Sequence, residues 1–422
     1  MSANINLQKT TSENLSDEMK TYYSDYLIDN AEPNLVHDQF AQKQSIPKNG
    51  GKTIEFRKYD PLPALTSEMK EGVTPEGQSL KVSTVNSEIK QYGGYVGLSD
   101  MLVLTSIDNN LLMSTKLLGA QAGRTLDTIT REVLAGGTNV QYGEGKVLSR
   151  GALCGGMAEG NHYLTVECIK RAVRTLKKQN AEKIDGSYVA IIHPDAAYDL
   201  TNDEAWLDVK TYAEPKDMYE GEIGKLHGVR FIETTEAKVF TAPDLSSSSR
   251  TLTVAEYNSS ASSQPPPCGN LSQYSIKVNE NLVPEDWARL SGATVQIKSV
   301  SDSSYHTCRI CGMYPENKLI YIESAPAKAP VSGDVIFPGE AGREGRDVYA
   351  TLVLGANAYG TTEIKGGGLE HIVKQLGSAG TSDPLNQRAT VGWKATKSAV
   401  RLVEGYMVRI ETASSFDSHS NT

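Results

Sequence analysis

Two thiols and an imidazole fall within one short segment, His306-Thr307-Cys308-Arg309-Ile310-Cys311, and Cys308 and Cys311 have the spacing of a zinc knuckle. A structural zinc needs four ligands, and the other cysteines, Cys154, Cys168 and Cys268, supply no second Cys-x-x-Cys. The alternative is a strand whose alternation sends one thiol inward and the other outward. A second grouping, His193-Pro194-Asp195, places an imidazole near a carboxylate, as acid–base chemistry would require. Adjacent turn residues rarely face each other, and no Ser or Cys nucleophile accompanies them; Pro194 and Asp195 also make a good first helical turn. Lys146 follows Gly145 and Lys225 follows Gly224, but Val140 and Tyr219 stand where a phosphate loop needs its first glycine. There is no Gly-x-Ser-x-Gly elbow and no His-Glu-x-x-His helix, and the glycines between 151 and 160 lack the strand-to-helix setting of a dinucleotide site. The expectation is no catalytic residue, no cofactor, and no metal beyond the candidate cluster His306, Cys308 and Cys311.

A chain of 422 residues can bury a full core and suggests two to three domains. Its 42 Lys and Arg against 51 Asp and Glu leave a net charge of −9, which argues against a dedicated nucleic-acid binder but leaves room for a local basic face. No basic segment followed by an apolar one opens the chain, and no apolar run is long enough for a membrane span, so a soluble protein folding in the cytoplasm is expected. Five scattered cysteines read as reduced thiols.

The elements that must position any site begin with a polar arm, residues 1–48, whose few apolar side chains include Tyr22, Tyr23, Tyr26, Leu27, Leu35 and Phe40. Such a segment cannot offset its own ordering entropy and needs a partner surface. From 52 to 98 the pattern alternates, Ile54 and Phe56 with Glu55 and Arg57, then Leu80 and Val82 with Lys81 and Ser83, around turn-rich stretches at 60–63 and 71–77. This predicts a long hairpin without a core, resting either on its parent domain or on a neighbouring copy. Leu104, Ile107, Leu111, Leu118, Ala122, Leu126, Ile129 and Val133 then recur at helical spacing up to Gly136-Gly137, predicting a helix over 107–134, about 40 Å long. A second helix after Thr165 carries Ile169, Val173 and Leu176 opposite Lys170, Arg171, Arg174, Lys177 and Lys178, a cationic side that reads either as a nucleic-acid contact or as a solvated face.

Residues 188–192 read as a buried strand, with short strands at 229–232 and 239–240. Serine and proline clusters at 246–249, 259–263 and 265–267 then introduce strand patterns at 274–278, 293–300, 318–322 and 334–337. That shift predicts an all-β insertion over 243–346 in a surface loop of an α/β domain. Val400, Leu402, Tyr406, Val408 and Ile410 alternate with Arg401, Arg409 and Glu411, predicting a half-exposed closing strand before a polar tail from Ser414.

Six ordered blocks carry a family resemblance: Glu71-Gly72-Val73-Thr74-Pro75; Gln91-Tyr92-Gly93; the helix end at 118–143; Ala190-Ile191-Ile192-His193-Pro194-Asp195; Gly221-Glu222-Ile223-Gly224-Lys225 with Gly228-Val229-Arg230-Phe231; and 383–394, Asp-Pro-Leu-Asn-Gln-Arg-Ala-Thr-Val-Gly-Trp-Lys. Together they resemble the major capsid proteins of N-four-type tailed phages, collinearly from about residue 50 to 412 except over 243–346. The resemblance implies an α+β subunit of the Hong Kong ninety-seven type capsid fold, non-enzymatic, self-assembling into hexamers and pentamers of an icosahedral head around double-stranded DNA. It implies an N-terminal arm at 1–48, an extended loop at 49–99, a peripheral domain with the spine helix at 100–185, an axial domain at 186–242 and 347–390, and a return strand and tail at 391–422. Expected subunit contacts are Ile54, Phe56, Arg57, Glu71, Val73, Leu80 and Val82 of the loop, and Gly119, Gly123 and Arg124 of the helix, where two small residues would admit a neighbour's loop. Expected partners are other copies, with portal, scaffolding and decoration proteins, weak non-specific contact with DNA and no membrane; assembly would take place in the host cytoplasm. The alternatives are a nanocompartment shell of the same fold and an enzyme using His193 and Asp195.

Overall fold

The computed structural model describes residues 7–9, 36–59, 62–66, 68, 77–101, 110–143, 147–155, 161–206, 224–259, 274–365, 367–378 and 385–416. Leu104, Ile107, Glu71, Val73 and Cys268, together with most of the arm, lie outside this set. The chain divides into two compact units, one of 1–138, 181–184 and 355–407, the other of 139–180, 185–354 and 408–422.

The first unit is built on the helix Asn110–Ala135. Leu118, Ala122 and Leu126 recur at four-residue spacing and bury against Val391, Trp393 and Ala395 of the strand Arg388–Arg401. That strand pairs antiparallel with Lys90–Ser99, so Gly392 faces Tyr95 and Trp393 faces Gly94. Two separate sequence blocks, 91–93 and 383–394, thus meet in one ladder. Small residues are needed there: a Cβ on Gly93 would lie 2.7 Å from the Trp393 carbonyl oxygen. Along the other edge of Arg388–Arg401 run Glu370–Lys374 and Tyr359–Ile364, both antiparallel to it. The arm contributes parallel edge strands, Gln42–Ile46 beside Tyr359–Ile364 and Leu7–Lys9 beside Lys90–Ser99.

Among the described strands, Thr53–Tyr59 and Val82–Glu88 pair only with each other as a two-stranded ribbon, while Lys90–Ser99 leaves the hairpin to join the core sheet. The helix ends as its glycines suggest, with Gly136 N–H bonding Glu132 O at 3.0 Å and Arg401 Nη1 donating to Val133 O at 2.6 Å. The guanidinium takes up a terminal carbonyl at the negative end of the helix dipole.

The second unit holds an α/β sheet in the order Val140–Tyr142, Met407–Thr412, Val348–Leu354, Tyr188–Ile192, Val229–Glu233, Lys225–Leu226, with Val239–Phe240 also paired to Val348–Leu354. Tyr188–Ile192 is buried at every position, in keeping with its unbroken apolar run. Six described strands, Leu252–Asn258, Tyr274–Val278, Thr294–Lys298, Tyr305–Tyr314, Leu319–Ile322 and Val335–Pro338, close into an antiparallel barrel with a core of its own, including Leu252, Ile276, Ile297, Ile310 and Ile322.

Two expectations are corrected. Residues 400–410 are not one half-exposed strand: the turn Glu404–Tyr406 separates Arg388–Arg401 from Met407–Thr412, and the latter is buried throughout. Its charges are inside because they are paired, Glu411 receiving Arg409 Nε at 2.8 Å and Arg150 at 2.7 and 2.8 Å. Residues 355–390 do not continue the α/β sheet, since Tyr359–Ile364 and Glu370–Lys374 are claimed by the edge of Arg388–Arg401.

Val239–Phe240 and Val348–Leu354 flank the barrel in sequence and are neighbours in the sheet, with Phe240 opposite Val348. Replacing 245–345 by a short flexible linker should therefore leave a soluble chain that melts cooperatively. Circular dichroism and thermal melting check this, and an aggregated or molten product would show that the barrel is needed for the rest to fold.

Candidate assembly surfaces and the arm anchor

The hairpin sorts its residues by depth. At the base, Phe56 is 7% exposed, and a Cβ on Gly360 would lie 3.0 Å from its ring; Ser87 Oγ meets Ser398 Oγ at 2.7 Å. Phe56 was expected at a subunit contact, but its packing is inside its own chain. Ile54 is half-buried. Arg57 is exposed and paired with Glu55 at 3.3 Å, a surface pair of little energetic weight. Beyond the base, Tyr59 (63%) and Val82 (46%) at the end of the ribbon, and Leu62 (51%), Leu65 (72%) and Leu80 (66%) past it, are exposed apolar side chains.

On the helix, Arg124 is exposed while Gly119 and Gly123 are buried within the subunit. Asp127 and Thr130 continue the same inward stripe and are both fully buried.

Their partners come from the end of the arm. Asp127 Oδ1 accepts the His37 backbone N–H at 2.8 Å, and its Oδ2 lies 2.6 Å from His37 Nδ1. Thr130 Oγ1 donates to Asp38 Oδ1 at 2.7 Å. Lys397, from the strand across the helix, donates to Asp38 Oδ2 and, at 2.9 Å, to Leu126 O. The Tyr359 hydroxyl donates to the His37 carbonyl. Burial pulls the Lys397 ammonium below its ordinary range, opposed chiefly by the Asp38 charge, and pushes the Tyr359 phenol up. Sequence reading missed this cluster. The available signal was Asp127 itself, a carboxylate between Leu126 and Ile129 on the inward side of an amphipathic helix.

The groups singled out for chemistry have structural roles. His193 caps the helix Pro194–Thr201, its Nδ1 accepting the Asp195 N–H at 3.3 Å, and its ring packs on Tyr349 with centroids 5.0 Å apart. Burial lowers its basicity, against the opposing charges of Asp195 and Glu233. Cys308 points into the barrel core, Cys311 sits where the register shifts between Ile310 and Gly312, and His306 Nε2 lies 3.1 Å from Ser304 Oγ. Among the described residues no group of three or more metal-ligating side chains comes together.

Residues 106–270 match the family model described as phage capsid protein. No curated protein matches the chain. Among solved structures, the capsid of Ralstonia phage GP4 is similar at 12% identity, over 89% of this chain and 87% of that one, with a TM-score of 0.51. The Cyanophage Pam1 capsid asymmetric unit is similar at 11% identity, over 96% and 95%, with a TM-score of 0.53. These two likenesses assign the fold, that of the Hong Kong ninety-seven type capsid subunits.

Two outcomes follow. Lys397→Met leaves Asp38 buried beside the helix without its cation, and removing one partner of a buried pair costs about 3–5 kcal/mol. Denaturant melts should show a loss of that size, smaller when Asp38→Leu is added; additive losses would show that the two are not coupled. Burial pushes the Cys308 thiol up to about 11, so at neutral pH maleimide should label Cys311 well before Cys308, as read by peptide mass spectrometry with and without zinc. Protection of both thiols by zinc would restore the metal reading.

Proposed function

We propose that the chain, a phage major capsid protein with the Hong Kong ninety-seven fold, builds the hexamers and pentamers of an icosahedral head by laying the tip of its hairpin on a neighbouring copy. The observation that carries this reading is the apolar exposure towards the hairpin tip: among the described residues, Tyr59, Leu62, Leu65, Leu80 and Val82 are left uncovered. Burying a Leu-sized side chain is worth about 1.5–3 kcal/mol, so several such contacts, repeated at every subunit, can hold a shell together. The fold and the family match support the same reading: a structural subunit, in the virion, whose first partner is itself. Of the contact residues proposed, Leu80, Val82 and Arg57 of the hairpin and Arg124 of the helix are exposed, whereas Phe56, Gly119 and Gly123 are buried within the chain. Portal, scaffolding and decoration proteins are the further partners proposed, with assembly in the host cytoplasm around double-stranded DNA.

Leu65→Asp with Leu80→Asp should stop shell formation and leave folding intact, because exposed substitutions usually change stability by less than about 0.5 kcal/mol. Sedimentation and negative-stain imaging of the full-length variant read assembly, and its melting curve reads folding. Closed shells at the wild-type yield would overturn the assignment of the hairpin tip.

A further inference from the structure

We infer that the exposed face of the helix Val166–Lys178, together with Lys225 beside the His227 turn, is a non-specific binding surface for the phosphate backbone of double-stranded DNA. This rests on the reading of the chain as a shell around DNA and adds which residues meet it.

The helix buries Val166, Cys168, Ile169, Ala172, Val173 and Leu176, which leaves Lys170, Arg174, Lys177 and Lys178 exposed on its other side. The turn between Lys225–Leu226 and Val229–Glu233 carries His227, which lies within reach of the Lys170 and Lys177 charges. His227 and Gly228 both adopt left-handed backbone angles there, φ 50 and φ 80. The charges of Lys170 and Lys177 reach the His227 ring and, with burial as the larger cause, hold it below its ordinary range. The ring is therefore neutral at neutral pH and adds a hydrogen-bonding group beside the cations.

None of Lys170, Arg174, Lys177, Lys178 and Lys225 is ion-paired with a described carboxylate. Elsewhere half-exposed lysines do find one, as Lys328 does with Asp302 at 2.8 Å and Lys394 with Glu370 at 2.9 Å. The helix spacing makes the absence costly, because Lys170 with Arg174 and Arg174 with Lys178 are like charges four residues apart. The helix dipole rewards Lys177 and Lys178 in the last turn and Glu167 in the first, but not Lys170 and Arg174 in the middle. Among the described residues, a chain with an acidic excess thus presents a cationic helix face that no carboxylate is paired with.

The partner's chemistry follows from what the face lacks. Among the described residues, no large apolar side chain of this helix or of the 225–230 turn is exposed. A protein partner would want an apolar core in its contact, whereas contacts with duplex DNA are polar and strongly cationic. Lys170, Arg174 and Lys178 span roughly 12 Å along the helix, and over that length a duplex presents about seven phosphates.

The test titrates full-length subunits, kept dispersed, against a fluorescent random-sequence duplex from about 50 to about 200 mM salt. Five phosphate contacts predict a slope of log affinity on log salt near −4.5, a loss of about 500-fold over that range. The variant Lys170→Gln, Arg174→Gln, Lys177→Gln, Lys178→Gln should flatten the slope to about −1. Its shells should still form, so shell yield reads the assembly proposal and the salt slope reads this one. No binding by the unaltered chain at low salt, an unchanged slope in the variant, or tighter binding of polyglutamate than of DNA would overturn it. So would loss of shells with DNA binding retained, which would place these cations at a subunit contact.

Discussion

Asp127 lies on the inward side of a helix of 26 residues, where an ionised carboxylate without partners would be untenable. It is tenable because the arm turns at His37 and presents both a backbone N–H and an imidazole to it. The next residue, Asp38, then needs a cation of its own and finds Lys397 on the strand packed across the helix. Each group makes the next one necessary, and the result ties four segments of distant sequence: the arm end, the helix, Tyr359–Ile364 and Arg388–Arg401. Apolar packing of Leu118, Ala122 and Leu126 supplies the helix with attraction to its sheet but tolerates sliding. The buried charges do not, because any other register strands one of them.

This changes how the arm is understood. A polar segment was expected to need another molecule to order it, and its last part instead draws order from its own chain. Gln42–Ile46 is mostly exposed along its length yet pairs in parallel with Tyr359–Ile364 over five residues. The anchor just before it fixes where that pairing begins. Because His37 and Asp38 hold the arm at the helix, the hairpin that follows at Thr53 starts from a fixed point, and only its tip is left to find a partner. A hairpin with a buried base and an uncovered apolar tip is suited to reaching outward without unfolding its root.

The helix was legible in sequence because its apolar residues repeat at one period for many turns, and the hairpin because its two halves alternate around dense turn residues. The barrel was legible as a change of composition, although Leu252–Asn258 carries no signal that set it apart as a strand; over 306–311 the reading as a strand with one thiol inward is the one that Tyr305–Tyr314 carries, with Cys308 in the barrel core. The closing segment misled for the opposite reason. Arg409 and Glu411 gave it the alternation of a half-exposed strand, yet each is buried by the other and by Arg150. Periodicity reports side-chain polarity and assumes that polar means wet; where charges are paired internally the assumption fails. The anchor at Asp127 was missed on the same ground, since its partners lie 90 and more residues away and no local pattern joins them.

The two units use one device with different reach. In the α/β unit Glu411, wholly buried, holds Arg150 and Arg409, and Arg150 in turn stacks 3.4 Å above the Phe240 ring. Phe240 stands at the last position before the chain departs for the barrel, opposite Val348 where it returns. The charge cluster therefore fixes the neck through which a self-contained domain is inserted. The barrel needs little else from its host: its core is its own, and Gln296, buried on the strand Thr294–Lys298, reaches out to the carbonyls of Gly151 and Gly342. Where charges pair inside the chain, as at the neck and at the arm anchor, they are withdrawn from the surface. Among the described residues, the apolar hairpin positions and the cationic helix face stay exposed, and they differ in kind: one presents apolar side chains, the other cations. Keeping apolar and cationic exposure on separate elements suits two different kinds of partner, because a single patch matching one would be a poor match for the other.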